Sequence, residues 1–157
     1  MPELAPVTMA TRSSKLYDDT TAVRVAIVGA GLMGAQVGCE YALGGHDVVL
    51  CARDPDAARA RADAGFRLLE SHGLRSADEV AAGVAGLSAS ADPQAAAEGT
   101  DLVVDSLPED IELKSRVLRA ALGAAPDATV ATNTSSLAIA VLGKRSAGRS
   151  ERSGRTT

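Results

Sequence analysis

Short apolar runs alternate with stretches of helical periodicity through the middle of this chain. Val23–Val28 is apolar except at Arg24, as in a strand covered on both faces, and Leu32–Leu43 follows as a helix stopped by Gly44-Gly45. In that helix Val37 and Tyr41, four residues apart, are expected to face the sheet. Asp47–Cys51 is a second apolar run. Asp54-Pro55 sets a capping carboxylate before a proline at the first helical position and opens a helix to about Glu70. Asp92-Pro93 repeats the signal for a helix to Glu98. Between them His72–Gly86 is rich in Gly and Ala and ambiguous, with room for a short helix around Ala77–Ala82; Leu87–Ala89 reads as a short strand. Leu102-Val103-Val104 is a buried strand, Asp110–Ala121 a helix and Ala128–Ala131 another strand. Strands and helices alternating at this spacing predict βαβ units, hence an α/β fold with a doubly wound parallel sheet and strand one at its centre. The pattern covers residues 22–142. Residues 1–21 read as a loose, flexible arm and 143–157 as a basic, disordered Ser/Arg/Gly tail.

The first strand runs directly into Gly29-Ala30-Gly31-Leu32-Met33-Gly34, a G-x-G-x-x-G sequence at a strand-to-helix junction. Each glycine has its own physical reason. Gly29 permits the tight turn out of the strand, Gly31 lets a pyrophosphate approach the backbone, and Gly34 lets the helix pack hard against the strand. The N–H groups at the helix start then face the phosphates. A Rossmann-type sheet, truncated after about strand five, is the expected fold, with Gly29, Ala30, Gly31, Leu32, Met33 and Gly34 binding a dinucleotide. Which dinucleotide is open. The acid that holds the adenine ribose at the end of strand two in NAD-binding versions falls here on Ala52. Its neighbour Arg53 is either a partner for a 2′-phosphate, favouring NADP, or a solvated loop residue beside the helix-capping Asp54.

Composition narrows the function classes. One Phe, two Tyr and no Trp leave the core to Ala, Val and Leu. The net charge is −4, but Gly143–Thr157 holds five basic residues and one acidic, which leaves −8 on the rest. An acidic body argues against nucleic acid as a partner. Cys39 and Cys51 are too few for a disulfide scaffold, no Cys/His spacing suggests a metal site, and both thiols are expected to pack as small hydrophobes. No apolar run reaches membrane-spanning length and no signal-peptide core is present, so the expected location is cytoplasmic. His46, at the tight turn before strand two, reads as structural.

Two more segments sharpen the reading: Asp101–Lys114, containing Asp105-Ser106-Leu107-Pro108-Glu109, and Ala131-Thr132-Asn133-Thr134-Ser135-Ser136-Leu137. In order and spacing, together with Gly29–Gly34, they resemble the NAD-binding domain of the L-3-hydroxyacyl-CoA dehydrogenases over about Val23–Leu142. The resemblance implies NAD-dependent interconversion of 3-hydroxyacyl and 3-oxoacyl thioesters, with an acyl-CoA or carrier-protein-bound acyl substrate. It implies that Glu109 and Lys114 contact the cofactor near its nicotinamide ribose. Ser135 would hydrogen-bond the substrate's 3-oxygen beside the nicotinamide, the catalytic role. Each residue also has a plainer reading: Glu109 as an acid in the first turn of a helix, Lys114 as a solvated charge, and Thr134–Ser136 as helix caps.

The family's histidine base would fall at about Thr156 or Thr157, and neither that histidine nor the helical domain beyond it is in this sequence. A reading-frame shift after about Arg152 would produce such a tail. The expectation is dinucleotide binding with little or no hydride transfer by this chain alone. An open sheet edge would favour homo-oligomers, and a non-catalytic module or a subunit completed by a separate chain is the alternative.

Overall fold

Over residues 21–134, which the computed structural model describes, five strands and five helices follow one another. They are β1 (Arg24–Val28), α1 (Leu32–Leu43), β2 (Asp47–Cys51), α2 (Pro55–Ser71), α3 (Ala77–Ala85), β3 (Leu87–Ser90), α4 (Pro93–Ala97), β4 (Leu102–Asp105), α5 (Ile111–Ala124) and β5 (Thr129–Thr132). All pairings are parallel and the strand order is β3-β2-β1-β4-β5, with β1 central as expected. Parallel neighbours need a crossover between them, and the helices supply it.

Alternation along the strands divides the core in two. Val25, Ile27, Val48, Leu50, Leu102 and Val104 share one cluster with residues of α1, α2 and α3. Ala26, Val28, Val49, Cys51 and Val103 share the other with α4 and α5. Helices therefore cover both faces, and the near-continuous apolar runs of β1, β2 and β4 follow from that double burial. Phe66 of α2 is fully buried in the first cluster.

α1 buries Gly34, Ala35, Gly38, Cys39 and Ala42, with Gly34 and Gly38 closest to the strands, and Val37 and Tyr41 are half-buried. Both pack against the core cluster that holds Val25, Ile27, Val48 and Leu50. The helix lies too close for larger side chains: a Cβ on Gly38 would come within 2.5 Å of Leu50 Cδ2.

The caps fall where the Asp residues place them. Asp54 accepts from the Ala57 amide at 2.9 Å and Asp92 from the Gln94 amide at 2.9 Å. The ambiguous segment contains α3, opened by a reciprocal cap in which the Ser76 amide donates to Glu79 (2.7 Å) and the Glu79 amide to the Ser76 hydroxyl (3.3 Å). Arg59 then ties α2 to its neighbours, its guanidinium donating to the carbonyls of Val84 and Leu87 while pairing with Asp63. His46 accepts the Val23 amide on Nδ1 at 3.3 Å and leans on Tyr41, the structural role expected of it. Among the described residues no helix is long and apolar enough to cross a membrane.

Both cysteines are free and buried, as small hydrophobes would be. The Cys39 thiol donates to the Ala62 carbonyl at 3.4 Å, between α1 and α2. Burial pushes each thiol from 9.0 up to about 11. The thiolate is the nucleophile, so native chain should resist alkylation by iodoacetamide at pH 8, and urea-unfolded chain should react at both sites. An unfolded thiol releases its proton near 9.0 and the native one near 11, so stability should fall as pH rises through that window. Mass spectrometry of labelled native and unfolded samples checks the first statement, and urea midpoints across that pH range check the second.

Candidate cofactor site

Sheet growth reverses between β1 and β4: β2 and β3 extend one way, β4 and β5 the other. At such a switch point the loops leaving the strands diverge, and a crevice opens at the carboxyl ends. Gly29 leaves β1 into it with φ +93, a conformation that suits glycine. The amides of Gly29 and Ala30 both donate to the Cys51 carbonyl (2.9 and 3.1 Å), locking the turn to the end of β2. A Cβ on Gly29 would stand 2.6 Å from the Leu107 nitrogen, and one on Gly34 would overlap the Gly29 carbonyl oxygen. Gly31 is different. Among the described residues a Cβ there would meet nothing within 4 Å, so their packing does not demand glycine at this position. Gly31 caps α1 without a side-chain bond, and the first turn carries no acid, so the positive end of the helix faces the crevice unneutralised. Leu32 and Met33 are 69% and 63% exposed at its mouth.

On the β2 side, Ala52 is half-buried and packs on the core, and Asp54 caps α2. Arg53 is exposed and makes no ion pair or hydrogen bond among the described residues. A second guanidinium stands nearby: Arg61 Nη1 lies 3.5 Å from the Ala30 carbonyl of the glycine turn. Nothing local in the sequence signals Arg61; α2 brings it there by passing back over the turn.

On the β4 side the residues converge differently. Lys114 is not a solvated charge but is buried, its Nζ donating to Asp105 Oδ2 at 2.8 Å and to the Leu107 carbonyl at 2.9 Å. Thr132 Oγ1 donates to the same Asp105 oxygen at 2.7 Å. Glu109 lies outside α5, one residue before its cap Asp110, whose carboxylate takes the Glu112 and Leu113 amides. Its place in a first helical turn is thus corrected, because Asp110 occupies the cap. Instead Glu109 Oε2 accepts from Thr134 Oγ1 at 2.6 Å, which joins the loops after β4 and β5. Ser135 and Ser136 lie outside the described residues. Asp105 and Thr132 were not singled out from sequence; the available signal was a carboxylate ending an otherwise apolar strand. Among the described residues no cluster of three or more His, Cys, Asp or Glu could hold a metal.

The site thus offers a backbone floor for an anion, two guanidiniums on one side and a carboxylate with hydroxyls on the other. Such a set fits a dinucleotide: phosphates at the helix start and polyhydroxylated sugars to either side. Residues 24–154 match the family described as "3-hydroxyacyl-CoA dehydrogenase, NAD binding domain". The mitochondrial hydroxyacyl-coenzyme A dehydrogenase of Rattus norvegicus is 34% identical over 125 residues, covering 73% of this chain. The chain spans 40% of that relative's length. Among solved structures, (S)-3-hydroxybutyryl-CoA dehydrogenase PaaH1 from Ralstonia eutropha superposes with a TM-score of 0.72 at 25% identity, over 80% of this chain and 45% of that one. For 3-hydroxybutyryl-CoA dehydrogenase from Escherichia coli the TM-score is 0.70 at 27% identity, over 78% of this chain and 26% of that one.

Gly31 and Gly34 should respond to alanine in opposite ways. Gly31→Ala should change stability by less than about 1 kcal/mol, the scale of an N-cap exchange, yet weaken dinucleotide binding about tenfold or more. Gly34→Ala should cost about 1–3 kcal/mol of stability through overpacking against an immovable carbonyl. Urea unfolding and calorimetric titration with NADH and NADPH separate the two effects.

Proposed function

Because the chain belongs to the 3-hydroxyacyl-CoA dehydrogenase family, as its NAD-binding domain, we propose that it binds a nicotinamide dinucleotide across the β1–β4 crevice. In this reading it serves the interconversion of 3-hydroxyacyl and 3-oxoacyl thioesters, with CoA as the carrier that the relatives' names carry. The observation that carries the proposal is the contrast among the three glycines. Two are demanded by the protein's own packing, while among the described residues Gly31 faces open space beside an unneutralised helix start. The dinucleotide, when bound, supplies the hydride acceptor or donor.

The chain's residues bind and orient. In the turn Gly29–Gly34 the amides of Gly29, Ala30 and Gly31 are bonded within the protein, so the main-chain N–H groups of Leu32, Met33 and Gly34 at the helix start would hold the pyrophosphate. Glu109, fixed by Thr134, accepts from the hydroxyls of the second ribose. Ser135, which lies outside the described residues, would hydrogen-bond the substrate's 3-oxygen, the role that the family resemblance implies for it. On the adenosine side Ala52 has no acceptor for a ribose hydroxyl, and the unpaired Arg53 with Arg61 favours a 2′-phosphate, so NADP is the preferred form. The family's name supports NAD as the second reading.

Titration calorimetry with NADH and NADPH, followed by an acetoacetyl-CoA reduction assay, tests both levels. NADPH should bind more tightly. Arg53→Ala should weaken NADPH about tenfold while leaving NADH within about twofold, on the scale of one charge-assisted pair. Ala52→Asp should reverse the preference. Tighter binding of NADH by the unaltered chain overturns the NADP reading, and binding of neither overturns the dinucleotide reading.

A further inference from the structure

Asp105 ends β4, a strand whose other residues are all apolar, and it is 0% exposed. A carboxylate in that place is strongly disfavoured unless every lone pair finds a partner. Here the partners come from three different elements. Oδ1 accepts from the Leu107 amide at 3.0 Å, in the loop after β4. Oδ2 accepts from Lys114 Nζ of α5 at 2.8 Å and from the Thr132 hydroxyl of β5 at 2.7 Å. Even its main-chain oxygen is taken, by the Asn133 amide at 2.9 Å.

The pair therefore holds more than itself. Leu107 is gripped at both ends of its backbone, its N–H by Asp105 and its carbonyl by Lys114 at 2.9 Å. Both bonds pin the Leu107 peptide groups in the loop after β4, and Glu109 is two residues further on. Thr132 passes the constraint to the other loop, since its Oγ1 accepts from the Thr134 amide at 3.2 Å. Both routes end at the Glu109–Thr134 contact. A buried ion pair is weak evidence for stability, because apolar substitutes of similar volume often do as well. Its selective value is better sought in the geometry it dictates.

We infer that Asp105 and Lys114 are positioning residues: the buried pair holds the loops after β4 and β5 so that Glu109 and Thr134 meet the nicotinamide half of the dinucleotide already in place. The inference rests on the proposed function, in which the β1–β2 half of the sheet takes the adenosine side and the β4–β5 half the other. It differs from direct ligation by Lys114, in which the ammonium would use its third proton on the cofactor.

The test titrates the full chain with NADH, NADPH and ADP, the last of which reaches only the β1–β2 half. Lys114→Met strands the Asp105 carboxylate and should weaken NADH and NADPH about tenfold or more while leaving ADP unchanged, in the range of coupling among contacting residues. In the double variant with Asp105→Asn, the amide keeps an acceptor for Leu107 and a donor for Thr132. Its dinucleotide affinity should recover several-fold over Lys114→Met yet stay below the unaltered chain, because the bond from residue 114 to the Leu107 carbonyl remains broken. Affinity in the double variant as weak as in Lys114→Met means direct ligation by Lys114, and overturns the inference. Parallel loss of ADP binding also overturns it, by showing a defect of the whole fold, as does unchanged binding by Lys114→Met. Should Lys114→Met fail to fold, Thr132→Val leaves the pair intact and cuts its link to Thr134. That variant should lose NADH and NADPH affinity several-fold but not ADP, and unchanged binding overturns the inference. If the unaltered chain binds neither dinucleotide, the proposed function itself falls.

Discussion

Main-chain atoms of three segments meet at Gly29 with no room for a side chain between them. Its amide is bonded to the end of β2, its α-carbon faces the Ser106–Leu107 peptide after β4, and its carbonyl lies under Gly34 at the start of α1. Close approach here decides how deep the crevice is and where the helix start points. Move α1 outward by the width of a methyl group and its amides no longer converge with the ends of β1 and β4. The same closeness explains the small residues along the inner face of α1, and why a core with a single Phe suffices: layers this near are filled by Ala, Gly and Val.

The two halves of the site solve the problem of polar groups at a sheet edge by different means. Around β1 and β2 the groups belong to the backbone or to exposed guanidiniums, and little charge is desolvated before a ligand arrives. Around β4 and β5 a carboxylate and an ammonium are buried outright, and their bonds run to both main-chain groups of Leu107 in the loop after β4 and to the Thr132 hydroxyl of β5. The first arrangement suits an anion whose charge is the main recognition feature. The second suits sugar hydroxyls, where direction matters more than charge and each acceptor must already be aimed.

Much of this could be read from residue order, because the signals are local. α1 and β2 fall on Leu32–Leu43 and Asp47–Cys51 as their periodicity and glycine stop imply, and the Asp-Pro pairs open α2 and α4. The Asp110 cap is equally local, and reading it would have put Glu109 outside the helix. α3 was obscured because alanine and glycine carry no amphipathic contrast, although Ser76 and Glu79 held the capping signature. Val37 and Tyr41 pack against the first core cluster, but the closest approach of α1 to the strands falls on Gly34 and Gly38, because helix-to-sheet distance is a tertiary quantity that hydrophobicity does not report. Asp105 with Lys114 and Thr132, and Arg61 with the glycine turn, join positions that only the folded topology brings together. No spacing rule covers them.

These two kinds of constraint also imply two kinds of mutational behaviour. A glycine whose missing Cβ would strike backbone is insensitive to context, since no nearby substitution makes room for the atom; its effects should add to those of distant sites. A buried charge pair is the reverse. Removing one member leaves the other uncompensated, at roughly 3–5 kcal/mol, whereas replacing both with neutral groups can be nearly neutral. The glycine turn is thus fixed residue by residue, while the β4–β5 loops are fixed by a pair that can change only together. Substitutions in the first half of the site are constrained singly by sterics, and those in the second jointly by charge.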